Sequence, residues 1–303
     1  MKKMLMAVIA LMMTLSASAQ FYFYFSDGTV AKVDSISLVA PEESEKPDPS
    51  AGIGTFSVAA DKQVTFSSGN LQYTQSTNTW SFAENQYKVL ATDNVVGGSV
   101  SSSQYGDQKL GEALADKIDL FCWSTETTNF GVMTSTSAND YPGSFVDRGT
   151  NQIGNDAPNT WRTLSQDEWQ YLLNTRTNAS SLKGVAQVNG INGMVFLPDN
   201  WTCPSDVTFK SGFGGYGIDH YAAYQTFTAE EWSKLEAAGA VFLPTAGNRG
   251  GSNVYDVQFC GYYWSATEGG NNGAYYLIIY SDASGVNYYN RASGYSVRLV
   301  KDL

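Results

Sequence analysis

The side chains that could act as catalysts are few in this sequence, and their spacing matches no known catalytic arrangement. His220 is the only histidine, and its neighbours Asp219 and Tyr221 form no triad signature. A serine nucleophile needs a positioned base, so we interpret His220 as an ordinary loop residue. Glycoside hydrolysis needs two facing carboxylates, and no motif singles out such a pair among the 29 acidic residues. We therefore predict no catalytic residues and a protein that is not an enzyme.

The three cysteines, Cys122, Cys203 and Cys260, are the other residues with reactive side chains. An odd number allows at most one intramolecular disulfide plus one free thiol, and the sequence leaves open whether any two are bonded. A chain of this length can bury enough apolar surface without disulfides, so we favour buried thiols. No C-x-x-C or Cys/His cluster is present, which excludes a zinc site of the usual kind. We predict no metal and no cofactor.

Two further stretches carry the residue types of binding sites. The glycine-rich segment 212–217 is followed by no Lys-Ser/Thr pair or opening helix, so we predict an ordered loop and not a phosphate-binding loop. Asp199 and Asn200 could contribute oxygen ligands to calcium, but a calcium site needs about six to eight of them. We therefore interpret the segment 198–201 as a turn.

Composition and charge narrow the class of protein. The chain has 303 residues, of which 14% are aromatic and only 16% charged, and so much aromatic surface rules out a disordered chain. The formal net charge is −11, which argues against nucleic acid or an anionic membrane surface as a partner. With 29 Gly and 8 Pro, the composition favours strands and long ordered loops.

Residues 1–19 are predicted to be a secretory signal peptide. Lys2 and Lys3 precede an apolar run over residues 4–15, and Ala17-Ser18-Ala19 supplies a small-residue cleavage site. The run is shorter than the about 20 residues that span a bilayer, and no cysteine at the cleavage site indicates a lipid anchor. We expect an exported protein without an integral membrane segment, located in the periplasm, on the cell surface or in the medium.

The mature chain divides into three parts by composition. Residues 20–40 are predicted to be a short strand or hairpin segment, in which Asp27-Gly28 makes the turn and residues 30–39 the return strand. Residues 41–51 are acidic and proline-rich, which is typical of an extended linker. Residues 52–303 form the main domain. Since an isolated hairpin is marginal in water, we expect the first segment to pair with something else.

N-terminal capping motifs predict two helices in the main domain. The segments Ser165–Glu168 and Thr228–Glu231 are capping boxes, in which the first and last side chains satisfy each other's free backbone N–H groups. Trp169 and Trp232 then begin the apolar faces, so we expect both to be buried. Gly239 stands where a glycine commonly ends a helix.

Most of the remaining domain reads as short strands. Alternation or a β-branched and aromatic run predicts strands at 56–58, 63–67, 71–73, 80–82, 193–198, 239–244, 275–280 and 295–299. Two helices among many short strands and long loops predict an α+β fold.

Three sequence stretches carry a family resemblance. They are the segment 161–169, which begins Trp-Arg-Thr-Leu-Ser, the segment 261–267, Gly-Tyr-Tyr-Trp-Ser-Ala-Thr, and the segment 294–300, Gly-Tyr-Ser-Val-Arg-Leu-Val. Together they resemble the Fibrobacter succinogenes major paralogous domain, found in exported proteins of gut Bacteroidetes. That domain is similar to the formylglycine-generating-enzyme branch of the C-type-lectin-like fold. The resemblance covers residues 52–303 and implies such a fold, with two main helices and many short strands.

The enzyme branch of that fold oxidises a sulfatase cysteine with a close pair of copper-binding cysteines near its C-terminus. This sequence departs from the pattern, because Cys203 and Cys260 are far apart and no cysteine follows Cys260. Cu(I) needs thiolates that are brought together. We therefore carry over the fold and not the activity. A formylglycine-generating-type oxidase and a purely structural surface component remain the alternatives.

The segment 269–291 is rich in Tyr, Asn, Ser and Gly, as adaptable binding surfaces are, and the resemblance implies a ligand face in this region. The predicted ligand-binding residues are Trp264, Asn271, Asn272, Tyr280, Asp282, Asn287, Tyr288, Asn290 and Arg291. In this hypothesis the aromatic rings stack on the ligand and Arg291 binds a carboxylate. Residues 287–290 are expected to lie in a loop. The alternative is that the aromatic residues cover the core at alternate strand positions and that Tyr288 and Tyr289 pack under the C-terminal strand. We predict an exported, non-enzymatic binding or adhesion protein whose partner is a glycan or a surface protein.

Overall fold

The computed structural model describes residues 52–90, 117–126, 135–251, 253–270 and 272–303, together with the backbone of three short strands before them or in their gaps. The chain divides between residues 46 and 47 into two compact units. In the first, β1 (Phe21–Tyr24) and β2 (Val30–Val33) pair antiparallel. The predicted signal peptide, the turn at 27–28, the rest of the return strand and the linker lie outside the described residues. No helix in the described part is long and apolar enough to cross a membrane.

The second unit is an α+β domain, as the sequence predicts. Its strands are β3 (Ile53–Ala59), β4 (Lys62–Phe66), β5 (Leu71–Thr74), β6 (Thr79–Phe82), β7 (Ser99–Val100), β8 (Lys117–Ile118), β9 (Arg162–Thr163), β10 (Lys183–Val188), β11 (Ile191–Phe196), β12 (Thr226–Phe227), β13 (Val241–Pro244), β14 (Asn248–Gly250), β15 (Asn253–Tyr255), β16 (Gly261–Gly269), β17 (Gly273–Ile279), β18 (Ser284–Asn290) and β19 (Leu299–Asp302). Its described α-helices are α1 (Gln166–Gln170), α2 (His220–Tyr224) and α3 (Ala229–Ala237).

The strands form several small sheets. Their orders are β3-β4-β19-β9, β6-β5-β8, β12-β10-β11-β13, β14-β15-β7 and β16-β17-β18. The first of these joins the beginning of the domain to its end, because Val300 of β19 pairs with Phe66 of β4. Alternate residues of β3 are buried, among them Phe56 and Val58, as expected for a strand with one face on the core.

Both predicted helix starts are confirmed. The side chains of Ser165 and Thr228 each accept a hydrogen bond from the backbone N–H three residues later. The glutamate side chains at those later positions accept in turn from the backbone N–H of Ser165 and Thr228. Trp169 and Trp232 are buried, with 0% and 1% of their surface exposed. The first helix continues as a single π-helical segment, Tyr171–Thr175. The structure also adds a short third helix, α2, which begins at His220, where the sequence predicted a loop.

Gly239 follows α3 in a left-handed conformation, with φ +93°, as predicted for a glycine that ends a helix. A Cβ at this position would lie 3.1 Å from the Cα of Gly54. Gly54 also has positive φ, +65°. The two glycines therefore allow the end of α3 to approach β3 closely.

Two core clusters lie on opposite faces of the β16-β17-β18 sheet. Tyr263 and Leu277 belong to the first cluster, together with Trp169 of α1. Trp264 and Tyr276 belong to the second. A third cluster packs α3 against the β12-β10-β11-β13 sheet. This sheet carries four of the nine predicted ligand residues, and its strands β16 and β17 have buried residues on both faces.

A four-residue ion network ties β4, β9, α1 and β19 together at the surface. Both terminal nitrogens of Arg162 donate to the carboxylate of Glu168 at 2.8 Å, and Arg162 also donates to Asp302 at 2.6 Å. The ammonium group of Lys62 lies 3.0 Å from Glu168. Burial alone would raise the pKa of Glu168, but the hydrogen bonds from Arg162, the Ser165 backbone and Lys62 outweigh it and lower the pKa. The hydrogen bond from Arg162 likewise lowers the pKa of Asp302.

This network is expected to lose its contribution to stability in acid. A carboxyl group with a lowered folded-state pKa stabilises the fold above its unfolded pKa, roughly 4, and the contribution disappears as the pH falls through the folded value. We expect Arg162→Met to reduce stability at pH 7 and to flatten the decline of Tm between about pH 5 and pH 2. Thermal unfolding across that pH range measures it, and parallel pH curves for the two proteins would contradict it.

The cysteines are all free thiols. Cys122 and Cys260 are buried, as favoured from the sequence, whereas Cys203 is exposed. The prediction of a buried thiol is therefore wrong for Cys203, which lies in an irregular surface segment between β11 and α2. Its thiol donates a hydrogen bond to the carbonyl oxygen of Val207 at 3.3 Å.

Candidate functional site

The candidate site is built on the β17-β18 hairpin. β17 pairs with β16 on one side and with β18 on the other, so β18 is the edge of its sheet. The register places Tyr275 opposite Tyr288 and Tyr276 opposite Asn287. Residues 287–290 are therefore part of a strand, and the prediction of a loop there is wrong. The tyrosines suit a pleated, half-buried surface, and the open edge leaves them exposed.

The pairing separates the predicted ligand residues onto two faces. Residues directly opposite each other in an antiparallel pair lie on the same face, and the side chains alternate along each strand. Tyr288 therefore shares a face with Tyr275, on the side of the first core cluster. Asn287 and Tyr289 lie on the other face, which they share with Trp264 and its cross-strand partner Tyr276.

Trp264 does not belong to a ligand surface, and the prediction for this residue is corrected. Only 1% of its surface is exposed, and its indole N–H donates to the carbonyl oxygen of Phe121 at 2.7 Å. Its ring lies 4.3 Å, centroid to centroid, from the ring of Tyr295. As the alternative interpretation expected for alternate strand positions, this aromatic residue fills the core.

The prediction that Arg291 binds a carboxylate of the ligand is also corrected. It is 4% exposed, and its guanidinium donates to the carboxylate of Glu268 at 2.7 Å and to the carbonyl oxygen of Tyr141 at 3.3 Å. The guanidinium carbon lies 5.3 Å from the centroid of the Trp123 ring. Because a carboxylate of the protein already occupies the guanidinium, Arg291 holds the end of the hairpin in place.

Tyr288 is an exposed aromatic residue among the predicted ligand residues at the open end of the hairpin. It is 53% exposed, and its ring lies 5.8 Å from the ring of Tyr275. A Cβ at Gly273 would come within 3.2 Å of the Tyr288 ring. The missing side chain of Gly273 therefore leaves room for the tyrosine to lie against the sheet.

Two asparagine side chains lie at the same end of the hairpin as this tyrosine. The amide of exposed Asn272 donates to the side-chain oxygen of Asn139 at 3.0 Å, and the amide of Asn290 donates to the carbonyl oxygen of Thr136 at 3.1 Å. Asn290 also accepts a hydrogen bond from the backbone N–H of Ala292. The segment 135–140 thus forms the border of the open end.

We name this region the open-end surface. It consists of Thr136, Asn139, Asn272, Tyr275, Tyr288 and Asn290. The predicted neighbour Asn271 lies outside the described residues.

Tyr280 and Asp282 lie at the other end of the hairpin, beside its turn. The seven residues of β18 separate the two ends by roughly 20 Å, so one small ligand cannot contact both. Tyr280 is half-buried, with its ring 6.2 Å from that of Phe259, and burial raises its pKa to about 12. Asp282 is exposed. These two residues form no common surface with Tyr288.

Sequence reasoning missed part of the open-end surface. Tyr275 lies in the segment 269–291 but is not among the predicted ligand residues, and nothing in the sequence indicates Thr136 or Asn139, which lie more than a hundred residues before the hairpin. Tyr289 is also exposed, at 59%, although the alternative interpretation placed it in the core. Its position as an edge residue explains the exposure.

Two further segments carry the residue types of binding sites: the structure places a turn at residues 199–200 and a loop at residues 212–217. The short helix α2 begins three residues after this loop, at His220, so the prediction that no helix follows residues 212–217 is wrong. In the part of the chain that the structure describes, no group of three or more His, Cys, Asp or Glu side chains could hold a metal ion. Burial raises the pKa of the Cys260 thiol well above its usual range, whereas a reactive cysteine needs a lowered pKa.

Comparison of the chain with models of protein families, with curated proteins and with solved structures found no match in any of the three.

Proposed function

We propose that this protein is an exported, non-enzymatic binding protein that recognises a glycan or a surface protein through the open-end surface. The observation that carries the proposal is the position of Tyr288. It is an aromatic residue with more than half of its surface exposed, in a regular strand, backed by a second tyrosine. Export is supported by the predicted signal peptide at residues 1–19.

The chemistry of the open-end surface suits such a ligand. A tyrosine ring offers a large rigid area at a low cost in conformational entropy, and amide groups offer adaptable hydrogen bonds. The amide groups of Asn272 and Asn290 each donate one hydrogen bond to the border segment, and each NH2 group has a second hydrogen that can donate to a ligand. Aromatic faces stack on the apolar faces of sugars, and the amides pair with hydroxyl or peptide groups.

We also propose the finer fold assignment, a C-type-lectin-like domain of the formylglycine-generating type. What supports it is that the three stretches of the resemblance come together. Leu299 pairs with Thr163, and the backbone N–H of Trp264 donates to the carbonyl oxygen of Ser296 at 3.1 Å. Stretches far apart in the sequence thus form one continuous part of the domain.

Replacing Tyr288 or Asn290 by alanine is expected to weaken binding about tenfold or more, because an exposed aromatic anchor commonly dominates an interface. A glycan array with the mature chain identifies the probe, and titration of the variants measures the loss. Tyr216→Ala is the matched control, since Tyr216 is 55% exposed but lies in the 212–217 loop beside the hairpin turn. Tm should stay unchanged in the Tyr288 variant.

Two results would contradict the proposal. A loss of Tm with binding intact would make Tyr288 and Asn290 purely structural. An array without signal contradicts a glycan ligand, and a pull-down with the wild type and Tyr288→Ala side by side then tests a protein ligand. Equal capture by both would favour a structural surface component.

A further inference from the structure

β18 has an open strand edge. In the part of the chain that the structure describes, β17 pairs with it on one side and no strand pairs on the other. The N–H of Arg291 donates to the carbonyl oxygen of Asn272, and the N–H of Tyr280 to that of Ala283. Because bonded and non-bonded residues alternate along an antiparallel pair, the odd-numbered residues of β18 bond to β17. The residues whose N–H and C=O groups face outward are therefore Ser284, Val286, Tyr288 and Asn290.

This edge carries little protection against another strand. The outward N–H and C=O of Val286 have no hydrogen-bond partner among the described residues. The outward N–H of Tyr288 donates only to the side-chain oxygen of its neighbour Asn287, at 2.8 Å. Proteins commonly guard an open edge with lysine, proline or a bulge. β18 reads Ser-Gly-Val-Asn-Tyr-Tyr-Asn and pairs with β17 without a register shift, so it contains none of these devices.

The sequence of β18 complements itself when two copies run antiparallel. If the two strands are centred on Asn287, all seven residues of each strand are paired. Gly285 then lies opposite Tyr289 of the second copy, Val286 lies opposite Tyr288, and Asn287 lies opposite Asn287. This register also brings outward-facing residues opposite outward-facing residues, as the hydrogen-bonded pairs of an antiparallel ladder require.

The side chains fit in this register on both faces of the sheet. A Cβ at Gly285 would have no atom within 4 Å, and its neighbour Ile278 on β17 is only half-buried. The ring of Tyr289 from the second copy, which is 59% exposed in the single chain, would cover both. On the other face, Val286 and Tyr288 would form a cross-strand pair of a β-branched and an aromatic residue, a kind of pair that stabilises sheets.

Charge and area set the strength of such a contact. The chain has a net charge of −11, which opposes self-association in general, but no residue of β18 is charged. A tyrosine buries about 150–250 Å² when it is fully covered, so the half-exposed rings of Tyr288 and Tyr289 in two copies can bury roughly 400 Å². Stable interfaces bury about 1,200–2,000 Å². The strand pair therefore supports a weak dimer that forms reversibly as the concentration rises.

We propose that the protein forms a two-fold symmetric dimer in which β18 pairs with β18 of a second copy about Asn287. The two three-stranded sheets then become one sheet of six strands. Both Tyr288 side chains lie on the same side of this sheet, at diagonal positions about 7–8 Å apart. The dimer would thus offer two neighbouring sites to a ligand with repeated units; this consequence rests on the function proposed above, whereas dimer formation does not.

Sedimentation velocity of the mature chain without ligand, from micromolar to millimolar concentrations, tests the dimer. The wild type should shift from the monomer mass toward twice that mass. Asn287→Asp and Asn287→Lys should each stay monomeric, because like charges directly opposite each other destabilise a strand pair. An equimolar mixture of the two variants should dimerise again, since opposite charges then face each other. Asn155, which is exposed in a turn far from β18 in the sequence, gives the matched control: Asn155→Asp and Asn155→Lys should each dimerise as the wild type does.

A second pair of variants tests the backbone contact. Val286→Pro removes an outward N–H that does not bond to β17, a position where an edge strand tolerates proline, and it should abolish the dimer. Val286→Thr keeps the N–H and the branched shape and should preserve it. Circular dichroism shows whether each variant is folded. The proposal is overturned if the wild type stays monomeric throughout, if either Asn287 variant dimerises alone, or if their mixture stays monomeric.

Discussion

Replacing Trp169 by alanine is expected to lower the free energy of unfolding by about 3–5 kcal/mol, because it leaves a large cavity in the core. Trp169 is completely buried and packs with Phe66 at a centroid distance of 6.1 Å. It also belongs to the core cluster that joins α1 to the β16-β17-β18 sheet. Urea unfolding of the variant and the wild type measures the loss.

Phenylalanine at the same position makes a sharp control. The indole N–H of Trp169 has no hydrogen-bond partner among the described residues, so Trp169→Phe removes an unsatisfied donor together with part of the ring. Since a buried unpaired polar group is itself costly, we expect the phenylalanine variant to lose much less than the alanine variant. The indole N–H of Trp232 likewise has no partner among the described residues, so Trp232→Phe should also lose less stability than Trp232→Ala. Equal losses for both substitutions would contradict this account.

Replacing Asp199 by alanine is the second change with a large expected effect, about 3–5 kcal/mol, because it leaves a buried cation without its counter-ion. Arg176 is 2% exposed and lies 3.2 Å from Asp199. The other carboxylate oxygen of Asp199 accepts from the backbone N–H and the hydroxyl of Ser57, both at 2.7 Å. One side chain therefore connects the turn after β11 to β3 and to the end of the first helical segment.

Asp199→Asn separates charge from hydrogen bonding in this cluster. Its amide oxygen can still accept from Ser57 or Arg176, so we expect a loss intermediate between those of the wild type and Asp199→Ala. Arg176 also donates to the carbonyl oxygens of Leu172 and Leu182, which keeps it in place in either variant. A change below about 1 kcal/mol for Asp199→Ala, the range of an exposed ion pair, would show that the pair is effectively solvated. Chemical denaturation of the three proteins makes the comparison.

The elements that depend on residues close together in the sequence were predictable from it. The capping boxes at Ser165 and Thr228 and the buried positions of Trp169 and Trp232 follow from spacings within one helical turn. The turn at Asp199 was predicted for the right residue. Its role in holding Arg176 was not, because that role depends on where β3 lies in space.

The candidate site was predictable only in part. The sequence indicated Tyr288 and Asn290, since the composition of the segment is typical of binding surfaces. It did not show that Trp264 points to the core or that Glu268 already pairs with Arg291, because both depend on how the strands pair. The face on which a strand residue lies changes with a shift of one residue in register. Composition contains no information on that register.

The exposure of Cys203 has a practical consequence. Since the other two thiols are buried, a maleimide reagent should modify the folded wild-type chain once, at Cys203, and two further times only after denaturation. The thiol donates a hydrogen bond to the carbonyl oxygen of Val207, and Val207 lines a groove beside β12. A fluorophore or spin label attached there without any mutation would therefore stand next to that groove, and the same single thiol gives a defined point for immobilising the protein on a sensor chip.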